Sequence, residues 1–566
     1  MLNLDLQPFP THAERQESDA PSATASAKRS ATNATLDRLE LAAALALALG
    51  AYTLHFEFWR RAGGLWRDEV VSFNVAMQPT LGAVHEAVRY DSFPSFFHYL
   101  LRAWQGVGLG GSDQATRGLG FAIGLSVLAA LWWSARSLGQ RLPILSLLLL
   151  GVSGLCVRTT DAIRAYGVGI LCMLLCFGLL WRVATRPSRW NVALAALAAV
   201  SSVQSLYQNA FLLGAMCFGG ALVCSQHRLW KRAALIIGIG AVAALSLTLY
   251  VDAMQRMGDI KPLIRVTGLG PMLGVAWHAL RDGSNLRLTL WGALLVGFFA
   301  LAGRLLSGRR RGAEVSDEVV TYAFASAAIA VAGFFMWLKV LGFPTQPWYY
   351  VPPMALLALA IDATWPVLLP GHPARAARLM IVAAGGLVGF FGASTAVQAR
   401  QTNVDLLVAK LEQLAAPGDF ILVDQWYNGA TFSRYWRAPT PWSTLPPLED
   451  QSLQRLDLFK QHMQQADPNA AVEQTLLDTL RAGHRVWLVG GLPLSQKGKP
   501  VPRLPPAPES PFGWDHDAYS YVWARHAGEV LQARAGKATR IDLGAQGPVN
   551  EFENLPLWVV EGWRTP

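Results

Sequence analysis

Two adjacent carboxylates, Asp68 and Glu69, stand directly behind the first long apolar run of this 566-residue chain, in Leu65-Trp-Arg-Asp-Glu-Val70. A third, Asp91, follows in Asp91-Ser-Phe-Pro94. Carboxylates cost a great deal to bury beside a membrane, so a pair in this place points to a task such as general-base chemistry. Guanidinium groups recur around them at Arg67, Arg102 and Arg117, and again at Arg158 and Arg164 of Arg158-Thr-Thr-Asp-Ala-Ile-Arg-Ala-Tyr166. A fixed guanidinium in a water-poor cleft stabilises developing negative charge. Each group also has a plain structural use. Asp68 and Glu69 would suit the positive end of a short interfacial helix. Asp91 would suit the cap of a helix beginning near Pro94, and Arg117 an anchor at the head of a span. Arg158, Asp161 and Arg164, spaced by three, could share a helical face and neutralise one another. Tyr166, Tyr349 and Tyr350 could belong to an aromatic belt.

The elements that must position these side chains are membrane helices. The chain is 52% hydrophobic and 15% charged, with 21 Trp. Apolar runs long enough to cross a bilayer recur through the first 400 residues. The segment 94–111 is short and carries His98 and Arg102, which reads as a helix lying at the interface. The expected spans are then 37–58, 116–135, 142–157, 163–183, 190–207, 210–226, 231–251, 286–305, 319–341, 349–368 and 377–397, eleven in all. With the N-terminus cytoplasmic, every inward connection is basic: Arg136/Arg141, Arg182/Arg186/Arg189, Arg228/Lys231/Arg232, Arg304 with Arg309 to Arg311, and Arg375/Arg378. Counting 94–111 as a span would turn all five clusters outward, against the positive-inside rule. This order puts the loop 59–115, the Arg158–Tyr166 junction, the 252–285 loop and the Phe343–Tyr350 turn on the outer face.

Charge and composition divide the chain. Residues 1–399 hold 32 Lys and Arg against 20 Asp and Glu, and residues 400–566 hold 16 against 18. The positive excess belongs to membrane loops, which speaks against nucleic-acid binding. Residues 1–36, rich in Ser, Ala and Thr, read as a disordered cytoplasmic leader. Residues 37–399 form a transmembrane domain with the large outer loop 59–115. Residues 400–566 read as a small extracytoplasmic α/β domain, with helices near 403–415 and 469–482, strands at 420–424 and 485–490, and a Pro-rich linker over 495–511. The five cysteines lie in apolar helical runs and imply neither disulfides nor a metal site. No cofactor is indicated. A divalent ion could join Asp68 and Glu69, but the sequence places no third carboxylate beside them, and a metal is not favoured.

The order of these features resembles the membrane-embedded glycosyltransferases of the C superfamily, which include protein O-mannosyltransferases and the aminoarabinose transferases of lipid A. The pattern comprises an Asp-Glu pair after the first span, Asp91-x-x-Pro94 some twenty residues on, an aromatic-rich helix, Arg117 leading into the second span and an Arg-x-Tyr pair opening the fourth. It covers roughly residues 37–400. Ser95 stands where that family commonly has a second Pro. The resemblance implies an inverting transferase of the cytoplasmic (inner) membrane, moving a sugar from a polyprenyl-phosphate carrier to an acceptor hydroxyl on a lipid, glycan or protein at the outer face. It makes Asp68 the general base, with Glu69 and Asp91 beside it in the catalytic set, and implies that Arg117, Arg158, Arg164 and Tyr166 hold the donor phosphate. The rival reading is a transporter or flippase of a lipid-linked or anionic substrate, for which paired half-repeats would be expected; none is evident.

Overall fold

The computed structural model describes residues 23–260, 268–308, 316–342, 344–493, 501–509, 516–544 and 547–565. The basic run Arg309 to Arg311, Phe343, part of the 252–285 loop and much of the 495–511 linker lie outside the described residues, as does 1–22 of the leader. From Ala23 onward the expected disordered leader is instead helical, continuous with the first span to Arg61. Extending an existing helix avoids the cost of nucleation, so an Ala-rich flank follows the span it adjoins.

The chain forms two compact units. One comprises residues 1–59, 118–249 and 267–397; the other comprises 60–117, 250–266 and 398–566. The outer loop, assigned by sequence to the transmembrane domain, therefore groups with the C-terminal region.

In the first unit, together with the helix ends that run out of it, nine helices among the described residues are long and apolar enough to cross a membrane. They account for nine of the eleven expected spans. Tyr166–Thr185 and Pro347–Leu368 are largely buried, whereas Trp230–Gln255, Asn285–Gly308 and His372–Val397 expose most of their apolar surface, as lipid-facing helices do. The expected span 190–207 is a helix of only 15 residues, Arg189–Val203. At 1.5 Å per residue it reaches about 22 Å, short of a ~30 Å hydrocarbon core. The expected span 142–157 is also not a straight helix. It is a pair, Ile144–Gly151 and Gly154–Asp161, bent by 77°.

The break has a clear chemical basis. Arg287 donates from Nη1 to Val152 O and from Nη2 to Leu149 O, both at 2.8 Å. Asp282 accepts from Leu155 N at 3.0 Å and from Ser153 Oγ at 2.7 Å. The backbone groups released by the bend thus find partners inside the protein, which is the condition for irregular backbone at membrane depth. Elsewhere in this unit, Arg375 and Arg378, expected as loop cations, bond to Glu40, with Arg375 also reaching Asp37.

Among the described residues the second unit is built on five strands, β1 (Phe420–Val423), β2 (Trp442–Thr444), β3 (Val486–Val489), β4 (Ala535–Ile541) and β5 (Leu557–Trp563), in the order β2-β1-β3-β5-β4. β1 pairs in parallel with β2 and β3, and β5 pairs antiparallel with β3 and β4. Both faces of β1 and β3 are covered, so these strands are continuous apolar runs rather than alternating ones. Ile421, Val423, Trp487 and Val489 pack on one face with Val404, Leu407 and Leu411 of the helix Val404–Leu414. Phe420, Leu422, Val486 and Leu488 pack on the other with Leu476 and Leu480 of the helix Ala470–Arg481. The outer loop adds the helices Arg67–Ala76, Leu81–Ala87 and Phe96–Gly106. The last has 11 residues and lies where the interfacial segment was expected; it is too short to span.

Candidate active site

The helix Arg67–Ala76 carries the acidic pair in its first turn, where carboxylates favour the positive end of the helix dipole. The two carboxylates face different surroundings. Glu69 is fully buried and meets Arg117, itself 1% exposed, in a two-pronged pair: Nη1 to Oε1 at 2.9 Å and Nη2 to Oε2 at 2.7 Å. Arg117 also donates from Nε to Gly63 O at 2.8 Å and from Nη2 to Gly64 O at 2.6 Å. Gly63 has φ +69°, and a side chain there would run into the Arg400 guanidinium, so this turn requires glycine. Asp68, by contrast, keeps a fifth of its side chain exposed and pairs with Arg67 Nε at 2.9 Å.

The rest of the loop fixes this helix from its sides and ends. Arg102, on Phe96–Gly106, donates from Nη1 to Ala76 O at 3.0 Å and to Gln78 O at 2.6 Å, placing a cation at the helix C-terminus. Ser72 Oγ donates to Asp91 Oδ2, and His98 Nε2 meets the same oxygen at 3.0 Å. Asp91 is buried, and its bonds tie the Arg67 helix to the Phe96 helix. Ser95 Oγ lies 2.7 Å from the Tyr250 hydroxyl. At the helix entrance, Tyr435 accepts from Leu65 N at 2.7 Å and donates to Asp113 at 2.6 Å.

Arg158, Arg164 and Tyr166 belong to the first unit. Arg158 is half-buried on the helix Gly154–Asp161. That helix ends at Asp161, so Arg164 falls in the bend after it and Tyr166 opens the next helix. Tyr166 is buried, with its ring 6.0 Å from that of Tyr349. Asp161 pairs with His55 Nδ1 at 2.7 and 2.8 Å, which displaces the expected mutual neutralisation among Arg158, Asp161 and Arg164. Gly120 and Gly124 make room for Asp161: a side chain at either would overlap it. The structure thus joins Glu69 to Arg117 and Asp91 to Ser72 and His98 in one unit, and clusters Arg158, Arg164 and Tyr166 along the chain in the other. His55, His98, Tyr250 and Glu553 were missed by sequence reasoning. His55 left a signal as an ionisable residue inside an apolar span, and His98 entered only as a mark of the interfacial segment 94–111.

Among the described residues, no three His, Cys, Asp or Glu side chains gather as a metal-holding group. One further acid stands out at the C-terminal end of β1. Asp424 is 7% exposed and has no side-chain partner among the described residues, and burial pushes its carboxyl up to about 7. A carboxyl whose pKa is raised on folding contributes stability that is fully present below its unfolded value near 4 and lost as pH rises through about 7. Asp424→Asn is therefore expected to raise the thermal midpoint at pH 8 by about 5 °C or more, with the gain shrinking toward pH 4. Thermal unfolding of the full chain at the two pH values checks this.

Solved structures similar to this chain include the following three. The oligosaccharyltransferase of Archaeoglobus fulgidus, in complex with Zn and sulfate, is 12% identical with a TM-score of 0.46, over 79% of this chain and 68% of that one. ArnT from Cupriavidus metallidurans, bound to undecaprenyl phosphate, is 12% identical with a TM-score of 0.46, over 79% and 93%. The arabinofuranosyltransferase AftD from Mycobacteria is 16% identical with a TM-score of 0.42, over 91% of this chain and 41% of that one. No protein-family profile matches the chain, and no curated protein matches it in sequence.

Proposed function

We propose that this chain is an inverting membrane glycosyltransferase that moves a sugar from a polyprenyl-phosphate carrier to an acceptor hydroxyl, with Asp68 as the general base. The observation that carries this reading is the division of the acidic pair. Glu69 is buried in a clamp with Arg117, while Asp68, one residue away on the same rigid turn, stays partly accessible. A base must reach its substrate proton and yet be held in place, and the pair meets both needs. In this reading Glu69, Arg117 and Asp91 hold the helix. The phosphate that gains charge as the glycosidic bond breaks calls for a fixed guanidinium beside it. Phosphate leaves readily, so the scheme asks for no strong general acid and no divalent ion. Attack by one activated hydroxyl inverts the anomeric carbon. The test is sugar transfer by Asp68→Asn in membranes supplied with polyprenyl-phosphate sugars, where loss of transfer with retained donor binding is expected.

We place the reaction on the outer face of the cytoplasmic membrane, with the N-terminus cytoplasmic and the C-terminal region outside. The support is the eleven-crossing order expected from the sequence, in which every inward connection is basic, with the bent pair 144–161 and the helix Arg189–Val203 each counted as a crossing. A reporter enzyme that works only outside the cytoplasm, fused after residue 400, is expected to be active; an inactive fusion would overturn the orientation.

A further inference from the structure

The first-turn amides of the helix Arg67–Ala76 receive no cap from the residue ahead of it; Glu69 of that turn reaches back only to Trp66 N, at 3.3 Å. The residue ahead of it is Trp66, whose side chain has no oxygen to accept from the first-turn amides, and a helix start without acceptors is unfavourable. The acceptor comes instead from nearly five hundred residues downstream. Glu553, 1% exposed, lies in the short turn Glu551–Glu553, and both its carboxylate oxygens stand 3.3 Å from Arg67 N. Thr431 Oγ1 donates to the same carboxylate at 2.7 Å, and Thr402 supplies another side-chain bond. Asn403 N donates to the Glu553 backbone oxygen at 3.3 Å. The carboxylate is thus fixed by two threonines while it receives the first amide of the helix that carries Asp68.

We propose that Glu553 is a positioning residue for Asp68, acting as a cap supplied from the last segment of the chain. This rests on Asp68 being the base. Asp68 follows Arg67 directly, so the Trp66–Arg67 amide that Glu553 holds fixes the start of the turn that carries Asp68. Among the described residues, the Arg67 guanidinium favours its ionised form, and the Tyr427 hydroxyl is a titratable neighbour. Burial outweighs Arg67 and the threonines and raises the carboxyl to about 7. An ionised acceptor binds an amide more tightly than a neutral one. The cap therefore strengthens as pH rises through neutrality.

Hydrogen exchange of the full-length protein, read by mass spectrometry on peptides covering residues 64–70, tests the cap without any substrate. An N1 amide has no partner within its own helix, so protection at Arg67 reports Glu553 directly. Glu553→Ala is expected to speed Arg67 exchange at least tenfold, with β3 amides unchanged as the control for folding. Glu553→Gln is expected to keep protection but to abolish its rise through pH 7. Unchanged exchange at Arg67 in Glu553→Ala, or a pH profile in Glu553→Gln that matches the parent, would overturn the proposal. In membranes supplied with polyprenyl-phosphate sugars, Glu553→Ala is expected to lower kcat about tenfold with little change in donor KM, and Glu553→Gln to flatten the pH profile. If the exchange results hold but Asp68→Asn transfers normally, the cap stands as a structural device and the base assignment falls. If exchange is unaffected while Asp68→Asn is inactive, the cap falls and the base assignment stands.

Discussion

Replacing Asp68 with Asn is expected to lower kcat for sugar transfer by about 10²–10⁴-fold while leaving donor KM nearly unchanged. The substitution keeps size and shape. Asn retains an oxygen for Arg67 Nε, which now sits 2.9 Å from Asp68. The lost charge costs little in stability, because a partly exposed ion pair contributes ~0–1 kcal/mol and a first-turn carboxylate a similar amount. The rate effect corresponds to roughly 3–5 kcal/mol of transition-state stabilisation, so a folding defect of that small size cannot imitate it. Kinetics in membranes supplied with polyprenyl-phosphate sugars, alongside a donor-binding measurement, check the expectation. Transfer at the parent rate would remove Asp68 as the base.

Breaking the clamp has the largest expected effect on structure. Arg117→Ala leaves Glu69 buried with its principal countercharge gone, and loss of one partner of a buried pair costs about 3–5 kcal/mol. The carbonyls of Gly63 and Gly64 lose their donors in the same stroke. Arg117→Lys should not rescue, since one ammonium cannot reach a two-pronged carboxylate and two carbonyls that the planar guanidinium serves together. Replacing Glu69 and Arg117 together with Met should recover part of the loss, because an apolar pair of similar volume avoids the stranded charge. Limited proteolysis across residues 60–117 and thermal unfolding of the three variants measure this order. An Arg117→Ala protein as stable as the parent would show that the clamp does not hold the loop.

What could be read from the sequence was local. Apolar length identified the nine described helices long enough to cross a membrane, together with two segments that are not straight crossing helices, and short apolar runs identified β1 and β3, because both signals lie within one element. β4 was not legible: Lys537, Thr539 and Arg540 break up its apolar character, and only pairing with β5 makes it a strand. Residue types announced Glu69 and Arg117 as chemistry, but not that they meet each other across 48 residues. The sequence had weighed Arg117 as an interface anchor at the head of a span or as a phosphate ligand, and a pair with Glu69 was in neither reading. Glu553 was invisible for the same reason, more extremely. A glutamate in Asn550-Glu-Phe-Glu-Asn554 carries no sign of its partner near the other end of the chain.

The bend between Gly151 and Gly154 bears on how the protein is made. The ribosome delivers residues 144–161 long before Arg287, which lies 135 residues beyond Val152. At roughly 5–20 residues per second, that interval lasts about 7–27 s. Over that time the carbonyls of Leu149 and Val152 and the amide of Leu155 lack their final partners, and exposing such groups to lipid costs several kcal/mol each. The nascent segment must either wait as a straight helix or remain shielded by the insertion machinery until Asp282 and Arg287 arrive. Biogenesis of this membrane unit is therefore ordered in time: the third apolar segment reaches its mature shape only after the eighth has emerged.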